Sequence, residues 1–432
     1  MVDKKKINVF WFRRDLRLQD NVGLDLALNS GHPVLCVFIF DQNIIDELDR
    51  DDSRLSFIHE QLTLINENLQ KYHSGLHCVF GTPSEEWAKL NELYDIQELY
   101  YNKDYEPYAL TRDEEVEKLF SRHNAKVIAS KDQVIFEQSE IVKADGLPYT
   151  VFTPYKNKWL ATFDAEKYAS VKIDKFQNLL EIDLKMISLT DLGFTKSKIK
   201  VKEFTLASIG NYAESRNFPG QDTTSYLSPH LRFGTISPRQ IISLLKPSDD
   251  VFLSELIWRE FFMQIIYHFP ESAHRNFRPK YDLIVWRNNE DEFKLWSEGM
   301  TGYPLVDAGM RELNATGYMH NRVRMVVASF LCKHLLIDWK WGEAYFAKKL
   351  LDFELSSNVG NWQWAAGTGC DAAPYFRIFN PIEQFKKFDK DFKYVRKWVP
   401  EFEGFGYPEP MVDHKIARLR ALETYKIGIA KF

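Results

Sequence analysis

No stretch of this 432-residue chain stays apolar for the roughly 18 to 20 residues that a membrane helix needs, and its opening, MVDKKKINVFWFRRD, lacks the hydrophobic segment of a secretory signal. Cysteine is scarce. Cys36, Cys78, Cys332 and Cys370 are scattered without a C-x-x-C pair, so neither a zinc site nor a disulfide framework is indicated and buried thiols are expected. Bulk positive charge is missing as well: 56 Lys and Arg against 61 Asp and Glu leave a net charge of −5. That balance argues against histone-like binding to nucleic acid, while a local basic face stays compatible with it. A cytoplasmic globular protein is expected, with no metal and no membrane contact.

The chain is rich in apolar and aromatic residues: 45% hydrophobic, with 11 Trp and 32 Phe. Such a supply builds large cores and also sites that stack on flat ligands. In the first part, β-rich runs at Ile7 to Phe12, Pro33 to Phe40, Leu76 to Phe80, Glu98 to Tyr101 and Lys126 to Ser130 alternate with helical patterns such as Arg54 to Tyr72 and Ala109 to Asn124. This alternation predicts a doubly wound α/β domain with a parallel sheet over residues 5–131. A long connector is expected over 132–204. Beyond it, helical patterns at Ser237 to Leu245, Leu253 to Tyr267, Pro304 to Thr316, Asn321 to Leu336 and Trp341 to Leu351 predict a larger all-α domain over 205–432.

Gly367-Thr-Gly369-Cys-Asp-Ala372 imitates a dinucleotide fingerprint but follows no strand, and the first βα turn, Arg13 to Arg17, has no glycines for a pyrophosphate. A better phosphate cradle is Thr223-Thr224-Ser225-Tyr226-Leu227-Ser228, although such runs also serve as helix caps. Glu255 and Trp258, three apart on one helix, share a face, so an acceptor and a stacking surface can enter one cavity; the plain alternative is an exposed Glu255 to Arg259 pair beside a core Trp. Asn321 and Met325 share a second helix face beside Arg324, where Met otherwise reads as core. Asp352 can neutralise Arg324, which a buried Arg requires. The stretch from Leu351 through Asn358 to Trp362 and Trp364 reads as a polar-to-aromatic switch bounded by small residues.

Taken together, FWFRRDLRLQDN, TSYLSPHLRFGTISPRQ, SELIWREFF, TGYPLVDAGMRELNATGYMHNRVRMVVASFLCKHLLIDW and NWQWAAGTGCDAAPYFRIFNP resemble the photolyase and cryptochrome flavoproteins, in that family's order and over nearly the whole chain. The likeness is nearest to class I cyclobutane pyrimidine dimer photolyases. It implies FAD folded into a U inside the helical domain, with Tyr212 and Thr224, Ser225, Tyr226, Leu227 and Ser228 near its phosphates and Phe252 among its contacts. It further implies an Arg324 to Asp352 ion pair beside the flavin ring and Asn358 at the flavin N5. Glu354 stands where the family usually has Asp.

The resemblance also separates branches. Asn321 and Met325 stand where the (6-4) enzymes carry His, Asn358 where animal cryptochromes usually carry Cys and plant cryptochromes Asp, and Trp364 where DASH-type proteins usually carry Tyr. It implies that Trp258 and Trp364 flank a flipped-out dimer, that Glu255 bonds its polar edge, and that Asn321 and Met325 complete the pocket. Trp362, Trp339 and Trp286 match the family's electron-carrying tryptophans. Arg216, Arg322 and Arg377, with Lys386 or Lys387, are the candidates for phosphate contacts on dimer-containing DNA. Tyr108 and Ala109 replace the Asn and Glu of folate-binding relatives, so a second, antenna chromophore is left open as a deazaflavin, another flavin or none. A prokaryote-like monomer acting on the chromosome is expected, and the rival from another class is a photosensory cryptochrome without repair.

Overall fold

The computed structural model describes residues 4–432, which divide into two compact units. The first comprises the described residues up to Glu140 together with Trp159–Glu203 and Leu227–Leu245. Its five strands, β1 (Lys6–Phe12), β2 (Val34–Asp41), β3 (Leu76–Gly81), β4 (Asp95–Asn102) and β5 (Lys126–Ser130), are all parallel in the order β3-β2-β1-β4-β5. Every residue of β2 is buried, as a strand covered on both faces requires, which is why VLCVFIF reads as an unbroken apolar run. The helices Ser53–Gln70 and Pro107–Arg122 are the two crossovers that periodicity marks. Val22–Leu28 and Pro83–Leu93 are also helical and escape it, being short. In the first of them Gly23 is needed because a Cβ would meet Asn102 Oδ1 at 2.9 Å.

A buried charge cluster ties distant parts of this unit together. Asp132 accepts from Arg17 Nη2 at 2.5 Å and from Arg239 Nη2 at 2.7 Å, while Arg239 Nε reaches Asp20 at 3.0 Å. The Asp132 side chain is 0% exposed and the two guanidiniums 7%. The remaining donors go to the Asp20, Asp132 and Gly234 carbonyls, and Ser237 donates to Asp20. This is the full satisfaction that a buried ion cluster requires. The same stretch passes so close to β1 that a Cβ on Gly234, whose φ is +67°, would lie 2.1 Å from the Arg14 carbonyl oxygen.

The second unit comprises Ile141–Lys158, Phe204–Tyr226 and Lys246–Phe432. Its helices include Asp250–His268, Pro304–Thr316, Asn321–Ser329, Trp339–Lys349, Leu355–Ala366, Pro381–Phe388, Lys393–Trp398 and His414–Ala430. Residues 132–204 and 205–432 thus each contribute to both units, and 132–204 contain the helix Phe152–Thr162. One helix differs from its sequence pattern. The α-helix from Asn321 ends at Ser329 and continues as a single π-helical turn, Phe330–His334, instead of running to Leu336. The apolar period persists through Phe-Leu-Cys, but the turn delivers the fully buried Lys333 ammonium to the Ala366 carbonyl at 2.6 Å and to the Tyr425 ring at 3.8 Å. Burial pushes that lysine down to about 7.

Cys36, Cys332 and Cys370 are buried free thiols and Cys78 is half-buried. No helix among the described residues is long and apolar enough to cross a membrane.

Asp132→Ala leaves the buried Arg17 without its carboxylate and Arg239 with only one of its two, Asp20, and is expected to cost about 3 to 5 kcal/mol, read by chemical denaturation. Burial alone would raise the Asp132 carboxyl, but Arg17 and Arg239 outweigh it and hold the group below its ordinary value. Its contribution is therefore complete above the ordinary carboxylate range and lost as pH falls through the depressed value, so wild type should lose more stability on acidification than the variant.

Candidate active site

The helix Asp250–His268 is apolar around most of its circumference, with Ile257, Phe261, Phe262, Ile265 and Ile266 in the core, and its half-buried face carries Glu255 and Trp258. Glu255 does not pair with Arg259 on its own helix. It accepts from Arg216 Nη1 at 2.6 Å, and Arg259 instead reaches Glu354 at 2.9 Å. Trp258 lies flat on Phe152, with ring centroids 3.6 Å apart and planes within 9°. Phe152 is itself held by its backbone N–H donating to Asp371 at 2.9 Å. One indole face is thus covered by a residue that sequence reasoning placed in the connector.

Arg324 and Asp352 form the expected ion pair, with Nη2 at 3.2 and 2.9 Å from the two carboxylate oxygens, while Arg324 Nε donates to the Met319 carbonyl at 2.8 Å. Close to Asp352 in sequence, Glu354 is 4% exposed and accepts from Arg259 and from Ser357 Oγ. Its longer side chain is accommodated by two donors. Asn358 is buried, and its Nδ2 donates to the Glu343 carbonyl at 3.1 Å and to Glu343 Oε1 at 2.8 Å. With both amide hydrogens committed, the group Asn358 offers a ligand is its carbonyl oxygen. Glu343 has no motif to betray it: only the fold brings the Trp339–Lys349 helix against Asn358.

Around the Thr224 to Ser228 segment the backbone is held in unusual conformations. Asp222 and Tyr226 have φ of 49° and 54°, which bulky residues adopt only when their surroundings enforce it. Here the Tyr226 hydroxyl donates to Asp222 and its ring packs edge-on against Tyr318 at 5.2 Å. Thr224 and Ser228 are exposed and Ser225 is half-buried, and Leu227 is buried at the start of the helix Leu227–Phe233. Tyr212 packs edge-on against the buried Phe252 at 5.1 Å.

Positive charge gathers nearby. Burial, and then the charges of Arg216 and Arg377, push the Arg322 guanidinium below its ordinary value, which places the three arginines within each other's field. Arg322 donates to Asn217 and stands over the Phe388 ring at 4.4 Å, and Arg377 lies 5.9 Å from the centroid of Trp364. Neither forms an ion pair among the described residues. His320, beside them, is pushed down to about 4 by burial and by Arg322 and Arg324, so it is neutral and caps its helix by accepting from the Arg322 N–H. Asn321 is exposed and Met325 half-buried on that helix, and Lys386 and Lys387 are exposed.

Of the three matched tryptophans, Trp362 and Trp339 are buried at 2% and 1% and Trp286 is half-buried. Gly342 explains how Trp362 comes to lie against the Trp339–Lys349 helix: a Cβ there would meet Trp362 Cη2 at 2.1 Å. The Trp339 indole donates to Asn276 at 2.9 Å, and Trp286 packs edge-on against Tyr425 at 5.8 Å. Sequence reasoning missed Trp296, which is fully buried with its ring 6.2 Å from that of Trp362. At the end of β2, the Tyr108 hydroxyl donates to Asp41 at 2.5 Å, committing that residue within the protein.

Comparison with known proteins gives two family matches, the DNA photolyase family over residues 8–173 and the FAD binding domain of DNA photolyase over 252–406. A deoxyribodipyrimidine photo-lyase of Agrobacterium fabrum is 36% identical, covering 96% of this chain and 97% of its own. Among solved structures, a bacterial class III photolyase from Agrobacterium tumefaciens has a TM-score of 0.88 at 34% identity, covering 100% and 99% of the two chains. An archaeal photolyase from Sulfolobus tokodaii, solved with two FAD molecules, has a TM-score of 0.85 at 34% identity, covering 98% and 100%. The residues of the second unit fit a flavin dinucleotide: hydroxyls at Thr224 and Ser225 for phosphates, the Arg324 to Asp352 ion pair, and an amide whose carbonyl is left to accept.

Gly342→Ala is expected to cost about 1 to 3 kcal/mol because the indole of Trp362 must move. Gly406→Ala, with nothing within 4 Å of the added carbon, is the matched control and should leave the denaturation midpoint unchanged.

Proposed function

The chain belongs to the DNA photolyase family and is an FAD-binding enzyme, and from that premise we propose that it repairs cyclobutane pyrimidine dimers that it has drawn out of the DNA stack. The observation that carries this reading is the joining of a half-buried carboxylate, Glu255, and a stacking indole, Trp258, on one helix, with Arg322 and Arg377, which form no ion pair among the described residues, close to the Arg216 that Glu255 holds. A dimer stacked in a duplex cannot reach a buried flavin, so the lesion must be extruded, as photolyases do among the base-flipping enzymes. Damage weakens the stack and lowers that cost.

In this reading Trp258, backed by Phe152, and Trp364, under Arg377, give the extruded pyrimidines flat surfaces, with Asn321 and Met325 completing the pocket. Glu255 accepts from the polar edge of the lesion. Arg322 and Arg377 hold the flanking phosphates, as their missing carboxylate partners suit them to do. Tyr212, Phe252 and Thr224 to Ser228 bind the FAD, and Asn358, oriented by Glu343, presents its carbonyl to the N5 edge. When bound, reduced FAD would supply the light-driven electron that lets both carbon–carbon bonds of the cyclobutane ring break and would take that electron back, so that no net oxidation results. The protein contributes position and a fixed electrostatic field. Trp362, Trp339 and Trp286 would carry electrons inward when oxidised FAD is reduced by light; two buried indoles and a half-buried one support that path.

Purified, reduced protein given a defined thymine dimer in duplex DNA should remove it under blue light and leave a (6-4) lesion and a dark sample untouched. A bound, photoreducible flavin with no repair of either lesion would instead identify a photosensory protein. Trp362→Phe should abolish photoreduction of oxidised FAD while chemically reduced enzyme still repairs. Arg322→Ala should flatten the slope of log affinity against log salt by about 0.9, the share of one phosphate contact.

A further inference from the structure

The Arg216 to Glu255 ion pair has a consequence for discrimination. Both side chains are part-exposed, at 27% and 31%, and joined at 2.6 Å. Yet their expected partners are separate: Arg216 is a candidate for a DNA phosphate, and the proposed function gives Glu255 the lesion. The pair is joined through Arg216 Nη1 and Glu255 Oε1, so a phosphate that takes that nitrogen takes it from Glu255, and a lesion that takes that oxygen takes it from Arg216. We propose that this pair makes the enzyme selective for damage: phosphate contact by Arg216 is penalised unless an extruded lesion takes over Glu255.

This selectivity rests on the proposed repair of extruded dimers and on the chemistry of the two partners. A phosphate that draws Arg216 away leaves the half-buried Glu255 without its donor, and a partly desolvated carboxylate left unpaired is disfavoured. Burial already raises the Glu255 carboxyl, against the opposing pull of Arg216 and of Lys156. An extruded thymine dimer replaces the lost donor with its imide N–H groups. In undamaged duplex the same N–H groups are engaged in base pairs and stay in the stack, so the loss goes uncompensated. Tyr212 holds Arg216 in place, with the guanidinium 5.3 Å from the ring centroid, so the arginine stays close at hand for either partner. Specificity then comes from a cost imposed on the wrong partner rather than from an added attraction to the right one.

The test is dark binding to one duplex with and without a single thymine dimer, by wild type, Glu255→Gln, Arg216→Gln and the double variant, each first shown to melt like wild type. Glu255→Gln should bind undamaged DNA about tenfold more tightly and with a salt slope steeper by about 0.9, because Arg216 is released to a phosphate. Arg216→Gln should change undamaged binding less than about twofold, yet weaken dimer binding about tenfold. In the double variant the gain on undamaged DNA should vanish. A gain that persists without Arg216 would mean only that a negative charge had been removed, and would overturn the proposal, as would unchanged undamaged affinity in Glu255→Gln. Failure of wild type to prefer the dimer would overturn the repair reading itself, a result distinct from either.

Discussion

The chain from Leu227 to Leu245 departs from the helical sequence around it and is held by two carboxylates and two guanidiniums buried together, Asp20 and Asp132 with Arg17 and Arg239. Such a cluster tolerates no partial occupancy: each charge is compensated and each donor aimed, or the cost of desolvation is uncovered. Three of its members lie near the ends of β1 and β5 and the fourth some 107 residues beyond Asp132 in sequence. Closing it therefore fixes the Leu227–Phe233 helix against the sheet of this unit.

The active-site residues are positioned by the same logic in a different currency. Backbones approach so closely that only glycine fits at Gly342, against Trp362, and at Gly360, where a Cβ would lie 2.2 Å from Phe262. These contacts set the Leu355–Ala366 helix between its two neighbours. That helix presents Asn358, Trp362 and Trp364 in different directions: to Glu343, to Trp296 and Phe346, and to Arg377. Under the proposed function one helix would carry the amide for the flavin, an electron-carrying indole and a stacking indole, and its rigidity would serve all three roles.

Charge is distributed to match. A protein of net charge −5 concentrates Arg216 and Arg377 where, after burial, their charges push the Arg322 guanidinium below its ordinary value, and among the described residues supplies a carboxylate only to Arg216 of these three. Such a local field attracts a polyanion without making the whole surface basic. Composition alone conceals it, because averaging over 432 residues cancels the patch.

Much was legible in the order of residues. The parallel sheet follows from buried apolar runs at regular spacing, and the Arg324 to Asp352 pair from the need of a buried arginine for an anion. The family resemblance lies in local motifs that keep their order. What the sequence left undecided are contacts between residues with no pattern linking them: Glu343 to Asn358, Phe152 on Trp258, Arg259 to Glu354, and the π-turn that buries Lys333. Local order and periodicity specify which residues share a face of one element. Which face meets which is decided by packing between elements, and there glycine clearances and buried charges, rather than propensity, select the partner.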